Sequence, residues 1–159
     1  MTVTKATIED VPQIHKLVND FAHRGDMLPK ALSQIYENLR DYVVIREGDK
    51  VVGCAALHVS WMDLAEIRSL AVDEVKQREG LGAALVESCV EDARSLGLPR
   101  VFCLTRRPDF FAKQGFAPID KAELPHKIWA ECYQCPKFPD CDEYALVRDI
   151  PVATQQSAA

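Results

Sequence analysis

The stretch from Glu66 to Gly82, EIRSLAVDEVKQREGLG, decides the fold of this chain. It begins in a β-rich run, Leu64 to Val72, and ends at two glycines that open an apolar helix. In such a strand–loop–helix junction the first N–H groups of the helix are free to bind a ligand. The helix dipole favours negative charge at the same end, so the junction is typical of a pyrophosphate site.

The two glycines, Gly80 and Gly82, leave two interpretations open. Glycine at a helix start either lets a ligand approach the backbone or lets the helix pack closely against a neighbour. The segment lacks the Gly-Lys-Ser/Thr ending of a P-loop, and it lacks the G-x-G-x-x-G spacing of dinucleotide-binding folds. Spacing alone therefore does not decide between a ligand site and close packing.

The helix after this junction has the strongest helical pattern in the chain. It is predicted from Gly80 to Leu96, and Gly97 and Pro99 end it in the usual order. Its predicted apolar face consists of Leu81, Leu85, Val86, Val90, Ala93 and Leu96.

Predicted strands and shorter helices surround this unit. The strands are Val3 to Ala6, Tyr42 to Arg46, Lys50 to Val59, Leu64 to Val72, Arg100 to Leu104, Phe116 to Ile119 and Glu143 to Arg148. Three other helices are predicted. The first follows a capping box at Thr7 and Asp10, and the third spans Pro108 to Gln114. The second has an apolar face of Leu32, Ile35, Tyr36 and Leu39. This mixture predicts one α/β (α+β) domain over residues 1–150, followed by a flexible tail at 151–159.

The composition favours a single globular domain. The chain has 159 residues, of which 48% are hydrophobic and 27% charged, so it is long enough to bury a core. Its net charge of −5 disfavours broad nucleic-acid binding, which needs a basic face. No apolar run approaches the roughly 20 residues needed to cross a bilayer, and residues 1–10 lack the apolar core of a signal peptide. A cytoplasmic protein without nucleic-acid or membrane partners is therefore expected.

The strand–helix junction resembles the acetyl-CoA-binding motif of GNAT-type N-acetyltransferases. The resemblance rests on Gln77-x-x-Gly80-x-Gly82 after a strand that ends in Leu70-Ala71-Val72, and on a late helix–strand signature from Phe110 to Phe116. The order of elements matches that superfamily from Thr2 to about Arg148. The resemblance implies a mixed central sheet flanked by helices, acetyl-CoA as co-substrate and no required metal. It also implies that pairing of the final strands between subunits would make a homodimer.

The resemblance further assigns the coenzyme contacts. Backbone amides of the loop would hold the pyrophosphate, from Gln77, Arg78, Glu79, Gly80, Leu81, Gly82 and Ala83. The end of the strand, at Leu70, Ala71 and Val72, would pair with pantetheine and polarise the thioester carbonyl. The superfamily often places a tyrosine at the second aromatic of the late signature, as general acid for the departing thiolate. This chain has Phe111 there, and a phenyl ring cannot donate a proton.

Other segments resemble the acetyltransferase domain of N-acetylglutamate synthases in its short, stand-alone form. They are the strand 66–72, the segment His23 to Lys30, Thr105-Arg106, Gly115 to Pro118, and Leu124-Pro125 with Lys127. The reaction that this resemblance implies joins acetyl-CoA and L-glutamate to give N-acetyl-L-glutamate, which opens arginine biosynthesis. The amine would attack the thioester directly in a ternary complex.

Two residues are predicted to move protons, and four to bind the acceptor. Glu66, six residues before Val72, is the predicted base, and Thr105 is the predicted donor or relay. A solvated strand carboxylate and an ordinary strand-end cap are the other interpretations of these two residues. L-glutamate carries two carboxylates and therefore needs cationic partners. The candidates are Lys30, Arg68, Arg106 and Lys127, and Arg68 alternates in step with Glu66 along the strand.

The cysteines fall into two groups. Cys132, Cys135 and Cys141 lie close together, but their irregular spacing favours thiols or a redox pair over a zinc site. Cys54, Cys89 and Cys103 lie in apolar patterns and are predicted core residues. Two other functions stay open: an acetyltransferase for another small amine or a protein N-terminus, and a non-catalytic acyl-CoA or thiol sensor.

Overall fold

One mixed sheet of seven strands organises the part of the chain that the computed structural model describes, residues 2–125 and 143–151. The strands are β1 (Val3–Lys5), β2 (Tyr42–Glu47), β3 (Lys50–Trp61), β4 (Leu64–Val72), β5 (Arg100–Thr105), β6 (Ala117–Pro118) and β7 (Tyr144–Asp149). Their order across the sheet is β1-β2-β3-β4-β5-β7-β6. Neighbouring strands are antiparallel, with the exception of β4 and β5, which are parallel.

Helices cover both faces of this sheet. They are α1 (Val11–His23), α2 (Leu32–Glu37), α3 (Leu81–Ser95) and α4 (Pro108–Ala112). Short 3-10 turns lie at Ile8–Asp10, Leu39–Asp41, Glu74–Lys76 and Lys121–Glu123. The predicted α/β class and the predicted order of elements are confirmed. Within the described ranges no helix is long and apolar enough to cross a membrane. The predicted tail, of which residues 152–159 lie outside the described ranges, stays a prediction.

The two faces of the sheet carry separate core clusters, because successive side chains of a strand point to opposite faces. On one face Ala55 and Ile67 pack with Leu85 and Val86 of α3. On the other face Val44, Cys54, Ala56 and Ala71 pack with α1 and α2. The Cys54 and Ala71 pair thus lies on the α1 side of the strand that leads into the candidate site.

Two predicted helical faces are wrong in part. Leu96 is 59% exposed, because α3 ends at Ser95 and Leu96 is already its cap. In α2 only Ile35 is fully buried, whereas Leu32 and Tyr36 are each 42% exposed. That helix is only six residues long and Leu39 belongs to a separate 3-10 turn, so the predicted face does not continue.

The parallel pairing of β4 with β5 is short. The two strands pair only at Ala65 with Val101 and at Glu66 with Phe102. Beyond Glu66, β4 continues to Val72 along β3, while β5 continues to Thr105 along β7. The sheet therefore opens into a cleft between β4 and β5, and Glu66 lies where this cleft begins.

A β-bulge bends β4 beside the cleft. Cys54 is opposite Ala71 and Ala56 is opposite Arg68, so the two residues Ser69 and Leu70 face a single residue of β3. Ser69 has a φ of 54°, in the left-handed region that non-glycine residues rarely adopt. A bulge redirects a strand and increases its twist. The bulge therefore changes the direction of the last residues of β4, beyond the point where β4 and β5 separate.

Asp10 ties the start of α1 to the sheet. Its carboxylate accepts hydrogen bonds from the Thr7 N–H at 2.7 Å and from Arg46 Nε at 2.9 Å, and its side chain is only 6% exposed. The capping box predicted at Thr7 and Asp10 is confirmed, and it precedes α1 as a 3-10 turn. Burial works to raise the pKa of Asp10, but the bonds from Arg46 and Thr7 outweigh burial and hold the pKa below its ordinary value.

We expect Asp10→Asn to lower the free energy of unfolding by about 2 kcal/mol at neutral pH, since hydrogen bonds to charged groups contribute on the order of 1.5–3 kcal/mol. The matched control is Asp149→Asn. Asp149 also accepts from an arginine Nε, at 2.7 Å from Arg100, but its side chain is 72% exposed. The control should therefore change stability by less than about 1 kcal/mol. Equal losses in urea unfolding would contradict this assignment.

The same change has a pH dependence with a definite sign. Because folding lowers the pKa of Asp10, its stabilisation is fully present above the unfolded-state pKa and is lost as the pH falls through the folded-state pKa. The wild-type chain should thus lose stability in acid more steeply than Asp10→Asn does. Urea unfolding at a series of acid pH values measures the difference.

Candidate active site

Glu66 lies at the start of the cleft, on the last pair that β4 makes with β5. The residue is 8% exposed, and its Oε1 lies 2.6 Å from Nε of Arg68. The predicted common orientation of these two side chains is therefore confirmed. A neighbouring guanidinium stabilises the ionised carboxylate, which is the form that accepts a proton.

A histidine–aspartate pair that the sequence analysis missed lies on the adjacent strand. His58 of β3 is directly opposite Glu66, and its Nδ1 lies 2.9 Å from Oδ2 of Asp41. Directly opposite residues of antiparallel strands point to the same face. The Asp41 carboxylate comes from the 3-10 turn before β2, so no local sequence motif joins the two residues.

Thr105 ends β5 on the other side of the cleft. Its Oγ1 accepts a hydrogen bond from the backbone N–H of Arg107 at 2.9 Å, which is the strand-end cap that was the alternative interpretation. This bond uses a lone pair of the hydroxyl oxygen and leaves the hydroxyl proton available for donation. Phe111 is buried in the core and packs edge-to-face against Phe110 and Phe116. The proton-donor role of Thr105 stays a prediction.

The loop from β4 to α3 adopts a conformation suited to an anion. Arg78 and Gly80 both have positive φ, 72° and 81°, and Gly80 is the N-cap of α3. Left-handed residues in a turn make concave surfaces lined by N–H groups, and the helix dipole adds positive potential there. The Gln77 side chain donates to the Val72 carbonyl at 3.0 Å and so ties the loop to the end of β4.

The structure separates the two glycines of this loop. A Cβ built on Gly82 would lie 3.1 Å from Cζ of the Phe110 ring, so Gly82 allows close packing of α3 against α4. A Cβ on Gly80 would meet no atom within 4 Å, so its surroundings are open to a ligand. The close-packing interpretation therefore applies to Gly82, whereas ligand approach at Gly80 stays a prediction.

Ion pairs hold the same loop against the β2–β3 hairpin. Lys50 Nζ lies 3.1 Å from Oδ2 of Asp73, and Lys76 Nζ lies 2.6 Å from Oε2 of Glu47. The Lys50 hydrogen bond lowers the pKa of Asp73 despite partial desolvation of that carboxylate. These contacts fix both ends of the 3-10 turn at Glu74–Lys76, which precedes the glycines.

The turn after α1 bridges the two edges of the cleft. Arg24 pairs with Glu74, which follows β4, and Asp26 pairs with Arg107 at 3.2 Å, which follows β5. Arg106 donates through Nη1 to the Gly25 carbonyl. Segment 24–26 therefore joins the loops that follow both diverging strands. Sequence analysis missed this arrangement, because its partners are about 50 and 81 residues apart.

The backbone of Lys30 is fixed by hydrogen bonds to α1. The Asn19 side chain accepts from the Lys30 N–H at 3.1 Å and donates to the Lys30 carbonyl at 3.0 Å. Arg106 touches the same segment through Gly25, and Arg68 contacts Glu66. The structure thus places Arg68 beside Glu66 at the cleft and Arg106 on the loop after β5, while Lys30 is held against α1 by Asn19. The acceptor-binding roles of these residues stay predictions, and Lys127 lies outside the described residues.

The described cysteines are core residues, as predicted. Cys54, Cys89 and Cys103 are buried, and burial raises the pKa of Cys54 and of Cys89 to about 12 and that of Cys103 still further. They are protonated at neutral pH and are poor nucleophiles in that form. Cys132, Cys135 and Cys141 lie outside the described residues. Among residues 2–125 and 143–151 no group of three metal-ligating side chains is present.

A cleft between two diverging strands, a bulged strand along it and an open helix start are the features expected of a fold that binds a coenzyme with a pyrophosphate group. The chain belongs to the acetyltransferase (GNAT) family, which matches residues 11–116. It is therefore an acetyltransferase, and acetyl-CoA is its co-substrate.

Similar proteins include amino-acid acetyltransferases. The amino-acid acetyltransferase of Mycobacterium tuberculosis is 41% identical over 132 residues, which are 81% of this chain and 75% of that protein. An uncharacterized N-acetyltransferase of Chlorobaculum tepidum is 37% identical over 148 residues, 93% of this chain and 96% of that protein. N-acetylglutamate synthase from Neisseria gonorrhoeae, complexed with coenzyme A and N-acetyl-glutamate, matches with a TM-score of 0.86 and 25% identity. That match covers 93% of this chain and 34% of the synthase chain.

Proposed function

We propose that this chain acetylates the α-amine of L-glutamate and so makes N-acetyl-L-glutamate, the first step of arginine biosynthesis. The observation that carries the proposal is the buried Glu66 carboxylate, paired with Arg68, at the point where β4 and β5 part. The likeness to a synthase complexed with N-acetyl-glutamate supports glutamate as the acceptor.

The reaction proceeds by direct transfer in a ternary complex. Glu66 removes a proton from the ammonium group of the acceptor, directly or through one water. The free amine attacks the thioester carbonyl, and a backbone N–H of the segment Leu70 to Val72 holds the negative oxygen that forms. The carbon–sulfur bond then breaks and the nitrogen releases its second proton to solvent. The CoA thiolate takes a proton from solvent, either directly or through Thr105, which solvent reprotonates.

Cationic side chains select an acceptor with two carboxylates. Arg106 contacts the bridging turn at Gly25, Lys30 follows that turn and is held by Asn19, and Arg68 lies beside the base. With Lys127, predicted from sequence alone, they give positive charge to a site in a chain of net charge −5. Charge-assisted bonds to two carboxylates favour glutamate over glutamine, whose side-chain amide carries no charge.

The test is the release of CoA from acetyl-CoA with L-glutamate, L-glutamine, L-aspartate and a peptide N-terminus, with the product identified by mass. We expect kcat/KM for L-glutamate to exceed that for each other acceptor by at least about tenfold, which corresponds to about 1.4 kcal/mol. A better acceptor in this panel, or no turnover while acetyl-CoA still binds, would contradict the proposal.

Asn19→Ala tests whether Lys30 needs its fixed backbone. We expect KM for L-glutamate to rise about fivefold, because a loop without its two Asn19 bonds presents Lys30 less often in the binding position. KM for acetyl-CoA should stay within about twofold, because the Asn19 side chain bonds to His15 and Lys30 and not to the loop between β4 and α3. Steady-state kinetics with each substrate varied in turn measure both constants.

Asn38→Ala is the matched control for this prediction. Asn38 donates to the carbonyl of Gln34 at 2.8 Å, as Asn19 donates to that of His15 at 2.8 Å, but the Asn38 side-chain bond stays within α2 and its cap. Both variants thus lose an equivalent bond at a helix end. If Asn38→Ala raised the glutamate KM as much as Asn19→Ala does, the role assigned to Lys30 would be wrong.

A further inference from the structure

A buried thiol on β3 holds the bulge of β4. Sγ of Cys54 donates to the Ser69 carbonyl at 3.4 Å, and the Ala71 backbone lies close enough to the same thiol to work against the rise of its pKa. Cys54 is fully buried and contacts the bulge on both sides. It therefore satisfies a backbone carbonyl that the register shift removes from the regular ladder.

The conformation that Cys54 holds is strained. Ser69 has a φ of 54°, in the left-handed region that is unfavourable for a non-glycine residue. The buried Tyr42 hydroxyl lies 3.4 Å from Oγ of Ser69 and adds a second contact to the same residue. Such strain persists only where surrounding contacts determine the conformation, and it is concentrated at functional sites.

We infer that Cys54 is a positioning residue for acetyl transfer: its thiol fixes the bulge at Ser69 and Leu70, so that backbone N–H groups at the end of β4 face the thioester. This inference rests on the proposed function, in which those N–H groups hold the negative oxygen. In a regular strand the N–H groups would alternate between β3 and β5 without interruption. The extra residue of the bulge shifts the direction of the N–H groups beside the cleft. The hydrogen bond from Cys54 to Ser69 stabilises this shifted arrangement.

The role requires a protonated sulfur throughout the neutral range. A thiol donates to the Ser69 carbonyl, whereas a thiolate would repel it. Burial raises the pKa of Cys54 to about 12, so the donor is retained at every pH at which the enzyme is assayed. Cys54 does not touch substrate in this arrangement and is not a catalytic residue.

Cys54→Ala and Cys54→Ser test the inference, with Cys89→Ala as matched control. Cys89 is equally buried, on α3, and its pKa is also raised to about 12 by burial. We expect Cys54→Ala to lower kcat about tenfold, because small displacements of an oxyanion donor cost that much or more. KM for acetyl-CoA should stay within about twofold. Cys54→Ser should recover most of kcat, because serine also donates and accepts.

Cys89→Ala should lose thermal stability to a similar extent while its kcat stays within about twofold. If Cys54→Ala and Cys89→Ala have equal kcat, or if Cys54→Ser recovers nothing, the inference is overturned. Should Cys54→Ala fail to fold, Cys54→Val fills the site without the donor, with one additional methyl group, and is expected to show the same loss of kcat.

Amide hydrogen exchange keeps this test separate from the proposed function. In Cys54→Ala the peptide that covers residues 66–72 should exchange faster than in the wild type, and in Cys89→Ala it should not. This readout needs no turnover, so a wild-type chain that fails to acetylate glutamate would refute the proposed function alone. Unchanged exchange in Cys54→Ala would refute the inference.

Discussion

Glu66→Gln is expected to lower kcat for acetyl transfer by about two to four orders of magnitude, the range that a positioned general base contributes. Glutamine keeps the size of the side chain and can still contact Arg68, but it does not accept the proton of the ammonium group. The coenzyme contacts assigned to residues 70–83 do not involve this carboxylate. The Kd for acetyl-CoA should therefore change by less than about twofold.

Rapid-quench kinetics measure the rate of acetyl transfer, and calorimetric titration with acetyl-CoA in the absence of acceptor measures its Kd. Glu9→Gln serves as control, because Glu9 is an exposed carboxylate in the 3-10 turn before α1 and lies far along the chain from the cleft. Its kcat should equal that of the wild type. If Glu66→Gln retained more than about a third of wild-type kcat, the proton acceptor would have to be another group, and His58 would be the next to replace.

Gly80→Leu is expected to weaken CoA binding by about tenfold to a hundredfold, or about 1.4–2.8 kcal/mol. The side chain would enter the open space above the N-cap of α3, where the pyrophosphate is proposed to lie. The left-handed conformation at φ 81° also costs a leucine about 1–2 kcal/mol of stability. Both effects act on the helix start, but only the first acts on the ligand.

Gly97→Leu separates these two effects. Gly97 follows the other end of α3 with a φ of 82°, and a Cβ there would also meet no atom within 4 Å. The two variants should therefore melt at similar temperatures, while only Gly80→Leu loses affinity for CoA in calorimetric titration. Equal CoA affinity in both variants would show that the helix start is not the pyrophosphate site.

The fold could be predicted from the sequence because its signals are local. The β4–α3 unit has a β-rich run, two glycines and a helical pattern that ends at Gly97, and each signal is contained within a few residues. The shared face of Glu66 and Arg68 followed from simple alternation along one strand, whereas their contact is seen only in the structure. The helical faces at Leu32 and Leu96 were predicted less well, because periodicity does not show where a helix ends.

The details of the site depend on backbone conformations and contacts that have no local signal. Ser69 and Arg78 adopt positive φ, although neither is the glycine that usually marks such a position. The bulge at Ser69 follows from pairing with Cys54, fifteen residues earlier in the chain. Arg24 and Arg106 bind partners on other elements, and their sequence neighbours do not reveal those partners.

The two glycines show why a motif alone does not assign roles. Gly80 and Gly82 stand in the same motif, yet Gly82 lacks a side chain because the Phe110 ring occupies that space. Phe110 lies in α4, and the contact exists only once the helices are packed. The motif correctly predicted membership of the acetyltransferase (GNAT) family. The role of each residue in the motif depends on packing of this kind.

A crystal structure of the chain with CoA and N-acetyl-L-glutamate would test most directly whether acetyl transfer takes place at Glu66 in the β4–β5 cleft. The pyrophosphate should lie against the amides of residues 77–82, and the acetamide should lie between Leu70–Val72 and Glu66. Its nitrogen should be within hydrogen-bond reach of Glu66, directly or through one water. A product bound outside the β4–β5 cleft, or an amide nitrogen on the side away from Glu66, would contradict the account.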